Sequence, residues 1–181
     1  MACKILMVIA PDQFRDEELL IPRQAFEAQG WAVDIVSTQV GEAQGMLSAR
    51  IKVEHDLSFA ENKAGKNAYD AVVVVGGMGS IEYLWDNTQL HGILQRLYKY
   101  KRVIAAICLS GAVLAKAGLL EGKNATVWES PESVAVFEQN NVNYTKEAVT
   151  VDGVFVTANG PDAAPEFAEA VIKKVRALIP A

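Results

Sequence analysis

Residues 69–79 read YDAVVVVGGMG. Ala71–Val75 is a short, unbroken run of β-formers and small residues, the pattern of a strand buried on both faces. Gly76-Gly77 ends it where the backbone must turn tightly. Working outward toward the N-terminus, Ile5–Ala10 is a second run of this kind, halted by Pro11. Glu17–Gln29 reads as a helix with Asp16 as its N-cap and Gly30 as its stop. Trp31–Ser37 is a further strand, residues 45–59 carry a weaker hairpin or strand-pair signal, and the polar residues 61–67 read as a surface loop. Toward the C-terminus, Leu90, Ile93, Leu94, Leu97 and Tyr98 fall on one face of a helix. Val103–Ile107 is again a buried strand, and a helix starts near Leu109 and ends at Gly118. Pro131–Gln139 suggests a short helix and Thr150–Ala158 a hairpin around Asp152-Gly153. A last helix spans Pro165–Leu178, with Phe167, Val171, Val175 and Leu178 inward. Two-sided strands alternating with helices predict an α/β fold, a mostly parallel sheet with helices on both faces.

Composition narrows the function classes. A chain of 181 residues that is 51% hydrophobic can bury a substantial core, so one domain over residues 1–181 is expected and a largely disordered chain is excluded. Two cysteines cannot staple a disulfide scaffold. Seventeen basic against 22 acidic residues give a net charge of −5, which disfavours nucleic acid as a partner. No run approaches the roughly 18–20 apolar residues of a membrane span. The apolar start is too short for a leader. A cytoplasmic protein with reduced thiols is the expectation.

In an open α/β sheet, ligands gather beyond the carboxyl ends of the strands. Three such places carry unusual residues. Cys108 follows Val103–Ile107 directly and precedes a helix, which is the thiol form of a nucleophile elbow. A helix N-terminus there favours the thiolate, and the next amide can help hold an oxyanion. A small buried hydrophobe is the competing reading of the same cysteine. Gly76-Gly77-Met78-Gly79 lacks a phosphate-loop pattern but can bring a second amide beside the Cys108 turn. Asp16-Glu17-Glu18 opens a helix, where carboxylates are common. Pro22, however, removes the donor to the Glu18 carbonyl and bends the first turn around Glu18. A carboxyl buried beside a thiol would have a raised pKa and could exchange protons with it. Cys3 lacks any such context, His55 and His91 read as structural or solvated, and no ligand spacing for a metal is visible.

Three segments in this order, residues 16–22 (DEELLIP), 69–77 (YDAVVVVGG) and 105–108 (AAIC), resemble the ThiJ/PfpI superfamily over roughly Lys4 to Leu178. The resemblance implies a flavodoxin-like fold and a homodimer or higher homo-oligomer, with residues Leu47–Leu57 or the first helix as candidate surfaces. It also implies Cys108 as nucleophile and Glu18 as its carboxyl partner, with the amides of Gly77 and Leu109 at the oxyanion. Gly76, Trp128 and Asn159 are expected to line the pocket. The chain departs from the family at several points. Ser110 replaces a glycine at the elbow, and Leu109 stands where protease-type members carry histidine. Trp128 falls where deglycase-type members carry histidine, and Asn159 precedes Gly160-Pro161 in place of arginine.

Without an adjacent histidine, peptide cleavage lacks its general base. A Cys–Glu pair can still add to a small α-oxoaldehyde or its protein adduct, so glyoxalase or deglycase chemistry without cofactor or metal is the leading expectation. The alternatives are a cysteine redox sensor that oxidises to a sulfinate, a chaperone-like stress protein, and a peptidase if His55 or His91 reaches the sulfur. No nucleic-acid or membrane partner is expected.

Overall fold

The computed structural model describes residues 2–65 and 67–179. The first half of the chain supplies β1 (Lys4–Val8), β2 (Asp12–Phe14), α1 (Asp16–Ala28), β3 (Ala32–Ser37), β4 (Gly41–Gly45), β5 (Arg50–Val53), β6 (His55–Asp56) and α2 (Leu57–Lys63). Then come β7 (Ala71–Val74), α3 (Gly79–Tyr83), α4 (Thr88–Lys99), β8 (Val103–Ile107) and α5 (Gly111–Lys116). The remainder is β9 (Asn124–Ala125), α6 (Pro131–Gln139), β10 (Asn143–Tyr144), β11 (Val149–Asp152), β12 (Phe155–Ala158) and α7 (Ala164–Leu178).

The main sheet has the order β11-β12-β8-β7-β1-β3-β6, parallel except for β11 against β12. Its five principal parallel strands run β3-β1-β7-β8-β12, the flavodoxin-like order, with the switch point between β1 and β7. Every residue of β7 and β8 is fully buried, as their unbroken apolar runs require. Helices α1 and α7 pack together on one face, and α2, α4 and α5 cover the other. Among the described residues no helix is long and apolar enough to cross a membrane.

Several local expectations are corrected. Asp16 is not the N-cap of α1. Arg15 holds that place without a side-chain cap bond, and the Asp16 carboxylate instead accepts the amides of Leu47 (2.9 Å) and Ala49 (2.8 Å). These bonds tie the β4–β5 turn to the start of α1. A Cβ on Gly45 would lie 2.6 Å from the Asp16 carboxyl carbon, so this strand end must be glycine. The hairpin therefore lies at residues 41–53 rather than 45–59. Residues 57–63 form α2, with Asp56 accepting the amides of Ser58 (3.0 Å) and Phe59 (3.3 Å) as its cap. The loop expected over 61–67 thus begins only after Lys63, and its Lys66 lies outside the described residues. Phe167 and Val171 are fully buried and Val175 almost so, but Leu178 is 43% exposed because the last turn of α7 extends past the core. The hairpin around Asp152-Gly153 and the helix over Pro131–Gln139 stand where the sequence places them.

Candidate active site

The site forms where α1, the β7 end and the β8 end meet. Glu18, in the first turn of α1, is fully buried, and its Oε1 accepts the Gly76 amide at 3.1 Å. Its Oε2 is also buried and has no hydrogen-bond partner. Cys108 leaves β8 with φ at +61° and opens a three-residue 3₁₀ turn that leads into α5. A side chain in left-handed backbone costs roughly 1–2 kcal/mol. Here the turn sets the thiol beside the Glu18 carboxyl, close enough for each group to shift the titration of the other.

The glycines behind the pair have no room for a side chain. A Cβ on Gly76 would lie 2.6 Å from Glu18 Oε1 and 2.7 Å from Cys108 Cβ. Gly77 has φ at +102°, and a Cβ there would meet the Arg15 nitrogen at 2.5 Å. The Arg15 amide also donates to the Gly76 carbonyl at 3.0 Å, which locks the start of α1 to this loop. The elbow has its own supports. Ser110 donates its hydroxyl to the Val75 carbonyl at 2.6 Å. Trp85 donates its indole N–H to the Leu109 carbonyl at 2.9 Å, and His91 Nε2 donates to the Trp85 carbonyl at 2.8 Å. His91 is thus a strut two contacts from the elbow. His55 stacks on Phe59 at 3.6 Å.

A cavity of about 140 Å³ opens at the sulfur. Met46, Met78, Leu109, Trp128 and Pro161 wall it, Gly77 and Cys108 lie at its base, and Arg15 brings the one charge among its lining residues. Neither imidazole lines it. Trp128 stands at the wall as expected, its amide donating to the Cys108 carbonyl at 3.2 Å. Two residues expected as lining sit elsewhere. Gly76 is packed behind the sulfur, and Asn159 lines a larger cavity of about 440 Å³ on the other side of Trp128 and Pro161. Arg15, Met46 and Met78 escaped the sequence reading. Arg15 directly precedes the acidic run 16–18, while Met46 arrives through long-range bonds, its own amide donating to the Phe14 carbonyl at 2.8 Å beside the bond of Leu47 to Asp16.

Burial pushes the Glu18 carboxyl up to about 8, against the opposing pull of the thiol and the Gly76 amide. The thiol of Cys108 is raised as well, first by burial and then by repulsion from an ionised Glu18. The nearby amides of Leu109 and Gly77 pull the other way without reversing the shift. The expectation of a standing thiolate is therefore corrected. A three-residue turn and the six-residue α5 offer only a small dipole, which does not offset desolvation. Both shifts favour the uncharged pair of thiol and carboxylic acid. Among the described residues no group of three or more histidine, cysteine, aspartate or glutamate side chains could hold a metal.

Known proteins are similar to this chain in sequence and in fold. An uncharacterised protein of Methanocaldococcus jannaschii is 45% identical over 95% of this chain and 82% of its own length. A deglycase of Pyrococcus horikoshii is 28% identical over 87% of this chain and 90% of its own. The crystal structure of a ThiJ/PfpI domain protein from Brachyspira murdochii superposes with a TM-score of 0.90 at 31% identity, covering 99% of this chain and 100% of the other. The sequence profile of the DJ-1/PfpI family matches residues 3–174 and so takes in every residue around the sulfur. The protein belongs to the DJ-1/PfpI family.

Proposed function

We propose that this protein converts small α-oxoaldehydes, or their adducts on proteins, by glyoxalase or deglycase chemistry at Cys108 and Glu18. The observation that carries the reading is a thiol on a left-handed elbow, set against a buried carboxyl with a partnerless oxygen, in a cavity of about 140 Å³. An engineered cavity of roughly 150 Å³ holds one benzene, so a three-carbon dicarbonyl fits this one. The deglycase of Pyrococcus horikoshii supports the same assignment.

The chemistry follows from the charges. Ionised Glu18 takes the thiol proton as sulfur bonds to the aldehyde carbon, and the amides of Gly77 and Leu109 hold the negative oxygen that results. Return of the proton to that oxygen gives a hemithioacetal. Glu18 then takes the proton from the first carbon and delivers it to the second, while the hydroxyl proton passes from the first oxygen to the second. This leaves a 2-hydroxyacyl thioester, which water cleaves to the hydroxy acid and free thiol. Methylglyoxal plus one water gives lactate, with no external oxidant. A redox sensor is less well supported, because burial and a raised thiol both slow oxidation by peroxide. Peptide cleavage would need an imidazole at the sulfur, and none lines the cavity.

Exposed Leu20, Met46 and Leu47 around the start of α1 and the neighbouring turn support self-association there, which light scattering after size-exclusion chromatography checks. The catalytic reading is checked by lactate release from methylglyoxal. The expected loss is at least about 100-fold for Cys108→Ser and for Glu18→Gln. Equal turnover by wild type and Cys108→Ser would remove it.

A further inference from the structure

The cavity at the sulfur has apolar walls and one cation. Arg15 reaches it from the N-cap of α1, and both ends of the residue are fixed. Its backbone amide is bonded to the Gly76 carbonyl, and its guanidinium is held by Glu17 through Nε to Oε2 at 2.8 Å and Nη2 to Oε1 at 3.1 Å. Such a fork uses two of the five guanidinium donors and leaves three for a second acceptor. The side chain is 28% exposed, so it is neither free in solvent nor sealed from a ligand. Of the other two acids of this turn, Asp16 is taken up by the amides of Leu47 and Ala49, and burial favours the neutral form of Glu18. A preorganised guanidinium beside a small apolar chamber is built to meet a planar anion.

We propose that Arg15 makes this site selective for small aldehydes that carry a carboxylate next to the aldehyde carbon, binding the acid group while Cys108 adds to that carbon. The inference rests on the reading of Cys108 as a thiol that adds to aldehydes. Arg15 is a specificity residue and takes no part in the proton transfers. Neutral dicarbonyls use the same chamber without this contact.

Glyoxylate is the probe. The thiol adds across its aldehyde, a carbon–sulfur bond forms, and the thiol proton ends on the former carbonyl oxygen. The adduct stops there because the adjoining carbon is already a carboxylate. Glyoxylamide has the same shape without the charge. Adduct formation at Cys108 is followed with each compound, labelled with carbon-13 at the aldehyde, by nuclear magnetic resonance on wild type, Arg15→Gln and Arg15→Lys. Wild type is expected to favour glyoxylate over glyoxylamide by about tenfold. The preference should shrink to near unity in Arg15→Gln and survive in part in Arg15→Lys, and added salt should weaken the glyoxylate adduct alone in wild type. The salt comparison needs no variant and stands even if Arg15→Gln fails to fold. An unchanged ratio in Arg15→Gln, or no preference and no salt effect in wild type, overturns the role of Arg15 while leaving aldehyde addition intact. Absence of any adduct from either compound overturns both this inference and the reading beneath it.

Discussion

The two ends of the central sheet handle polar side chains in opposite ways. At the amino ends of the strands, Lys4 pairs with Asp34 at 3.1 Å, Tyr69 donates its hydroxyl to Asp34 at 2.8 Å, and the Lys4 amide donates to Asp70 at 2.9 Å. Arg102 lies 3.8 Å from Asp70 and adds to the same network. Charges there meet opposite charges and good donors. At the carboxyl ends, a fully buried Glu18 leaves Oε2 without a partner, and Cys108 occupies left-handed backbone. One end is arranged for stability. The other retains an unsatisfied acceptor and conformational strain, the departures from local consistency that accompany chemistry.

The sharpest way to break this contrast is pH. With its carboxyl raised from 4.5 to about 8, Glu18 holds a proton in the folded protein that the unfolded chain releases between those values. Its contribution to stability is complete below 4.5 and is lost as pH climbs through about 8, at up to about 1.4 kcal/mol per pH unit. Denaturant unfolding of wild type against Glu18→Gln should show the variant gaining on wild type across that window. Matching pH dependences would place Glu18 among ordinary ionised carboxylates. The rate with methylglyoxal should move the other way, rising through about 8 as the base becomes available, and that inflection should be absent from Glu18→Gln.

A smaller effect tests the packing behind the sulfur. Gly76→Ala forces a methyl against Glu18 and Cys108 and should cost about 1–3 kcal/mol in chemical denaturation, with loss of turnover out of proportion to stability. The smallest belongs to the other end. Tyr69→Phe removes one donor to Asp34 and should cost about 1 kcal/mol, leaving kcat/KM for methylglyoxal unchanged. A drop in kcat/KM there would mean that the two ends are coupled.

What the sequence made legible was set by short range. Val103–Ile107 and the turn at Cys108 could be read because five apolar residues running into a cysteine leave few alternatives. Glu18 stood out because Pro22 sits one turn later in the same helix. The bonds of Asp16 to the amides of Leu47 and Ala49 span more than thirty residues, and no local pattern marks them. Ser110 shows the same limit: it read as a departure from relatives, yet its hydroxyl ties the elbow to Val75, 35 positions away. Helix dipoles can be placed from sequence, whereas the desolvation that raises the Cys108 thiol depends on how tightly the far walls close.

The wall shared by the two cavities carries a property useful at the bench. Trp128 is 48% exposed and borders both chambers, while Trp85 is 6% exposed and bonded into the elbow. The third indole, Trp31, is half-buried against Phe26 and lines neither chamber, so the longest-wavelength fluorescence should come largely from Trp128. A molecule settling over the sulfur would dry that ring and move the emission toward the blue, giving an unlabelled optical titration of occupancy before any product forms.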